Sequence, residues 1–160
     1  MDHRTRTTAL ASLASLALLL PGAGTLAQTP GAPAPAAGSA PVEISITGLR
    51  SVRGKVVACL WRDQRGFPSC GKSATARRIV VPVSAATMSI RFPDVAPGRY
   101  AVTVEHDENG DGKSGRNLIG MPTEGVGVSN NPGGMPGWAK SLVTLPGAAA
   151  VPIRIRYLFR

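Results

Sequence analysis

Apolar and polar residues alternate along much of the chain in short runs. Val42, Ile44 and Ile46 alternate with Glu43, Ser45 and Thr47, the period-two pattern of a half-buried strand. Gly48 closes that run. Lys55 to Arg62 reads KVVACLWR and is apolar at both parities, as a central strand covered on both faces should be. Val56, Ala58 and Leu60 would face one way, and Val57, Cys59 and Trp61 the other. Ile79, Val81 and Val83 begin a third strand. Pro82 has no N–H to donate, so this strand belongs at an edge or ends there. Met88, Ile90 and Phe92 alternate with Thr87, Ser89 and Arg91, a fourth strand. Pro97-Gly98 is a strong turn dipeptide, and the fifth strand follows it. Tyr100, Val102, Val104 and His106 share one face of that strand. A short strand is expected at Leu142 to Leu145. In the last one, Val151, Ile153, Ile155, Tyr157 and Phe159 alternate with Pro152, Arg154, Arg156, Leu158 and Arg160.

Beyond the N-terminal segment, no window of ten or more residues carries a 3.6-residue apolar period. The strands are short and Gly/Pro turns separate them, which predicts an all-β fold, an antiparallel β-sandwich of about seven strands. One long loop rich in Gly, Asn and Asp, His106 to Asn131, follows the fifth strand. Arg91, Arg154 and Arg156 take the outward parity, where charge also keeps edges from pairing with other chains.

The N-terminus changes the picture from fold to destination. Residues 1–27 read as a secretory signal: Arg4 and Arg6, then twelve residues of Ala, Leu and Ser from Ala9 to Leu20, then Pro21-Gly22 and a Thr25-Leu26-Ala27 cleavage site. Twelve apolar residues are too few to cross a bilayer, which takes about 20. Cleavage after Ala27 is expected, and the mature protein should be periplasmic or secreted. Residues 28–41 are a Pro/Ala-rich stretch with no charge, a disordered linker. Residues 42–160 form the remaining β-sandwich domain, which should act as a monomer.

Charge then narrows the partners. The formal net charge of +9 becomes +8 once Asp2, Arg4 and Arg6 are removed. Export argues against nucleic acid, and aromatics are only 4% of residues, too few for base-stacking platforms. A weak contact with an anionic envelope surface is the partner such a charge suggests; a solvated, soluble face is the simpler reading.

Cys59 and Cys70 are an even pair in an oxidising compartment, so a disulfide between them is expected. The alternative is a free thiol working with His106, for which no local signature exists.

The long loop carries the candidate chemistry. It holds His106 and four carboxylates: Asp107, Glu108, Asp111 and Glu124. Asp107-x-Asn109-x-Asp111-Gly112 is the first half of a calcium-loop pattern. Alternate side-chain oxygens point inward when the backbone curls around a cation, and Gly112 permits the sharp turn. Lys113 would add its backbone carbonyl. The second half of the pattern fails, since Gly115 and Leu118 stand where further ligands belong. Glu124 could fold back to supply the missing carboxylate. The metal set is therefore Asp107, Asn109, Asp111, Lys113 and Glu124, with Ca²⁺ as the possible cofactor; plain turn formation by Asn, Asp and Gly is the competing reading. No nucleophile elbow, P-loop or zinc spacing is present, and no catalytic residue is expected. The enzymatic alternative is a small periplasmic hydrolase using His106 with the loop carboxylates.

These residues also carry a resemblance. Gly98-Arg99-Tyr100-Ala101, His106 to Lys113, Gly120-Met121-Pro122-Thr123-Glu124-Gly125 and Ser129-Asn130-Asn131 resemble the bacterial exported domain-of-unknown-function family 2141. Its pattern runs PG-x-YA, HDxNxNGxxD, GxPxEG and a following SN pair. The resemblance implies a small exported domain with no established activity. Gly115 departs from it, because an acidic residue is usual there. In a general way the P-G-x-Y turn is also similar to transthyretin-like and carboxypeptidase-regulatory sandwiches, which implies prealbumin- or immunoglobulin-like architecture and nothing about function. The chain lacks the several histidines of the hydroxyisourate hydrolases of that group. The expectation is an exported, non-enzymatic binding or accessory module of the cell envelope.

Overall fold

The alternating runs become strands, and they pair into two sheets in the computed structural model, which describes residues 38–113, 115, 117–119, 121–146 and 150–159. The expected signal and most of the expected linker lie outside the described residues. The strands are β1 (Ala40–Thr47), β2 (Lys55–Trp61), β3 (Arg77–Pro82), β4 (Met88–Val95), β5 (Gly98–Asp107), β6 (Gly125–Val128), β7 (Val143–Leu145) and β8 (Val151–Arg154). One sheet has the order β4-β1-β8, and the other runs β3-β2-β5-β6 with β7 also paired to β5. The fold is all-β and sandwich-like, as the periodicity predicts.

Several details differ from the reading of the sequence. Among the described residues there are eight strands against the seven or so that the periodicity predicts, because β6 lies inside the long loop predicted for His106 to Asn131. The sandwich is not wholly antiparallel: β1 and β8 pair in parallel, Ile44 opposite Val151 and Ile46 opposite Ile153. β1 begins at Ala40, so the last two residues of the expected linker are strand. The final strand ends at Arg154 rather than Phe159. There the chain leaves the first sheet for the second. The Ile155 N–H still donates to Thr47 O, while Arg156 and Val126 exchange two backbone hydrogen bonds of 2.9 Å. A single helical turn, α1 (Trp138–Ser141), precedes β7.

The main core fills the space between the sheets. Ile44, Ile46, Val56, Ala58, Phe92, Val102, Val104 and Ile153 are at most 1% exposed, all on the inward parity of their strands. Tyr100 closes the β4–β5 turn by donating its hydroxyl to Ala96 O at 2.8 Å. Across the open side of the sandwich, the Arg77 guanidinium on β3 donates to the Pro93 and Asp94 carbonyls of β4. That caps an exposed edge with charge.

β2 is apolar on both parities because its outer face is covered too. Val57, Cys59, Trp61, Cys70 and Ala101 form a second cluster with Phe67 and Trp138 against it. A Cys59–Cys70 disulfide holds the 63–76 loop over this face, and no free cysteine remains. Trp61, Phe67 and Trp138 meet edge to face at 5.5 and 5.4 Å. The Trp61 indole N–H donates to Thr103 Oγ1 at 2.9 Å, which satisfies the buried donor.

Candidate metal centre

Strand parity decides where the residues of the acidic stretch go. Consecutive side chains of β5 point to opposite faces. His106 continues the inner row of Tyr100, Val102 and Val104, while Asp107 continues the outer row of Thr103 and Glu105. His106 is fully buried. Its Nε2 lies 2.8 Å from Arg53 O and its Nδ1 2.6 Å from the Tyr157 hydroxyl. A carbonyl only accepts, so Nε2 carries the proton and Nδ1 accepts from Tyr157. The Tyr157 oxygen in turn accepts the Arg50 backbone N–H at 3.1 Å. Both ring nitrogens are therefore committed inside the protein, on the opposite side of the sheet from Asp107.

Glu108 does not join the other carboxylates either. Its Oε2 accepts from Arg50 Nη2 at 2.7 Å and Nε at 3.0 Å, and its Oε1 accepts from Ser51 Oγ at 2.6 Å. The Arg50 guanidinium, then the Ser51 hydroxyl, hold its carboxyl down at about 2.

The remaining carboxylates converge. Asp107 is 2% exposed, and it organises the loop after β5: Oδ1 accepts the Gly110 N–H at 2.7 Å and Oδ2 the Gly112 N–H at 2.9 Å. Gly110 and Gly112 both sit at φ +74°, which side chains with a Cβ rarely adopt. Asp111 is braced by its neighbours. Asn109 Nδ2 donates to its Oδ2 at 3.1 Å, the Lys113 N–H donates to its Oδ1 at 2.8 Å, and the Asp111 N–H donates to Asn109 Oδ1. Glu124 approaches from the entry to β6, and its Oε2 accepts the Gly115 N–H at 3.1 Å. One carboxylate oxygen from each of Asp107, Asp111 and Glu124 lies within 4.8 Å of the others.

Gly115 acquires a physical meaning here. A Cβ at this position would lie 2.5 Å from Thr123 Oγ1 and 3.4 to 3.5 Å from the Glu124 side chain. Thr123 Oγ1 thus takes the space where a side chain from position 115 would begin, with Glu124 packed in ordinary contact beside it. The carboxylate that the local motif lacks comes from elsewhere in the chain. Of the five residues expected at a metal, the structure gathers Asp107, Asp111 and Glu124; Asn109 and Lys113 orient Asp111 through hydrogen bonds.

The cluster is electrostatically loaded. Burial pushes the Glu124 carboxyl up to about 7, helped by its hydrogen bond to Glu105 and by the charges of Glu105 and Asp107, against the pull of the Gly115 N–H. Glu105 was not singled out from the sequence. Parity could have found it, since Glu105 and Asp107 are two apart on one strand and so share a face. Oxygen donors alone, with backbone N–H groups fixing the loop, are the donor set of a hard cation such as Ca²⁺. The carboxylates keep lone pairs for it, because each accepts fewer bonds than it has sites.

The Ser-Asn-Asn run after β6 serves the fold around this site. Ser129 is fully buried. Its hydroxyl donates to Ser141 O at 2.5 Å and accepts the Val102 N–H at 2.9 Å. Asn130 and Asn131 sit at φ 65° and 45°, the left-handed region that Asn tolerates. Asn131 accepts the Arg154 N–H at 2.7 Å and donates to Pro152 O at 3.0 Å, which ties the end of β6 to β8.

Comparison with curated proteins and with solved structures returns no match. A family model does match, over residues 44–153, and it describes an uncharacterised protein conserved in bacteria. The match spans both sheets, the acidic loop and the Ser-Asn-Asn fastener, and the chain belongs to this family, DUF2141.

Proposed function

We propose that the protein is an exported, non-enzymatic binding module of the cell envelope whose acidic loop takes a calcium ion. The carrying observation is the convergence of Asp107, Asp111 and Glu124 from two separate segments. Like charges gathered at a largely buried point repel one another, and a divalent cation removes that cost. Export is supported by the signal-like segment, 1–27, and by the disulfide, which suits an oxidising compartment. The exposed Arg91, Arg154 and Arg156 support a weak contact with an anionic envelope surface.

A hydrolase built on His106 would need a ring nitrogen at its substrate, and both are bonded to Tyr157 and Arg53. Calorimetric titration with CaCl₂ tests the calcium reading. The expected dissociation constant is about 10⁻⁴ to 10⁻³ M, the range of extracellular modules. Asp107→Asn and Glu124→Gln should each weaken it by about tenfold or more, roughly 1.4 kcal/mol. No heat and no thermal shift at millimolar Ca²⁺ would refute it.

A further inference from the structure

The outer face of the five-stranded sheet is covered only in part. Beyond the disulfide loop, a groove of about 390 Å³ lies open between that loop, the segment around Met121 and the 131–137 loop. Its size falls within the range of small-molecule sites, about 300 to 1,000 Å³. The floor follows from β-pairing. Glu105 stands opposite both Val57 and Val126, and Thr103 opposite Val128, so the outward side chains of three neighbouring strands line it. Met121 and Met135 form walls, and Met135 is 70% exposed at the rim. Methionine lines adaptable apolar sites well.

The polar groups around the groove differ in sign from wall to wall. Glu105, in the floor between Val57 and Val126, and Gly115 lie toward the acidic cluster, and Arg156 lies on the far side of Val126. Arg156 forms no ion pair among the described residues. Arg156 donates to the Pro132 and Asn131 carbonyls at 3.2 and 3.4 Å, which fixes its guanidinium beside the groove with further N–H groups available.

We propose that this groove binds an anionic amphiphile, with an unbranched apolar chain along Val126, Val128 and Met135 and a carboxylate or phosphate head at Arg156. An apolar chain would cover Met135 and the outward valines. Glu105 repels an anionic head and Arg156 attracts it, so the polarity of the groove sets the ligand's orientation. The inference stands apart from the calcium reading and uses none of the three cluster carboxylates.

Dodecanoate, titrated calorimetrically at submicellar concentration against the full chain, is the probe. Saturable one-to-one binding in the micromolar range is expected. Hexanoate, six methylenes shorter, should bind weaker by about a thousandfold. Met135→Glu, at an exposed rim position that folding does not depend on, should weaken dodecanoate by about tenfold, and Arg156→Gln by a similar factor. Three results would overturn the proposal: no saturable binding, dodecyltrimethylammonium bound as tightly as dodecanoate, or Met135→Glu without effect.

Discussion

His106 and Glu124 show how one stretch of chain holds two kinds of residue. His106 is a core residue with polar duties. It is fully buried and bonded at both nitrogens, so His106→Ala leaves a cavity, a Tyr157 hydroxyl proton without its acceptor and an Arg53 carbonyl without this donor. The expected loss in urea unfolding is about 2 to 4 kcal/mol, with calcium affinity unchanged, because the imidazole lies across the sheet from the carboxylates. Glu124 behaves differently. Its folded carboxyl titrates at about 7 against an ordinary 4.5. Between those values the unfolded chain has released the proton that the folded chain keeps, so stability falls as pH rises through the window. One such proton is worth up to about 1.4 kcal/mol per pH unit. Melting curves in chelator should therefore drop from about pH 4.5 to about pH 7, and Glu124→Gln should flatten the drop. Calcium must displace the same proton, so its affinity should climb with pH over the same window.

Among the elements, those with two-residue periodicity were legible from sequence. β1, β2, β4 and β5 lie where alternation or double-sided apolarity put them, and Pro82 ends the edge strand β3. β6 escaped because its inner positions are Gly125 and Gly127, which carry no apolar signal. A Cβ at Gly127 would meet Ile153 Cγ2 at 2.6 Å, and one at Gly125 would meet the Tyr157 ring at 2.4 Å. The glycines let the C-terminal segment cross from one sheet to the other at this edge. Periodicity names the buried face of a strand and not its neighbour, so the parallel β1–β8 pair was not legible either. The same holds for the site: D-x-N-x-D-G announced the loop, but nothing in the spacing fixed where Glu124 would lie. The disulfide was legible from compartment and count. It closes a loop of sequence separation 11, so Cys59→Ser with Cys70→Ser should cost about 3 kcal/mol on the chain-entropy argument. Guanidinium unfolding of the double variant against the oxidised protein measures this.

At the scale of the whole molecule, basic side chains stand on the surface while two carboxylates of the cluster are withdrawn from it. Arg91, Arg154 and Arg156 are exposed, whereas Asp107 and Glu124 are only 2% and 8% exposed. The protein should sediment weakly with vesicles containing anionic lipid and release as salt shortens the Debye length from about 10 Å at 0.1 M to about 3 Å at 1 M; binding indifferent to lipid charge would contradict that contact. The central claim is narrower, that Asp107, Asp111 and Glu124 form one cation site. A crystal structure grown in millimolar CaCl₂ addresses it most directly. It should show one ion with an oxygen of each carboxylate at about 2.3 to 2.6 Å. Carboxylates bonded only to the backbone N–H groups of their own loop, with no ion among them, would contradict it.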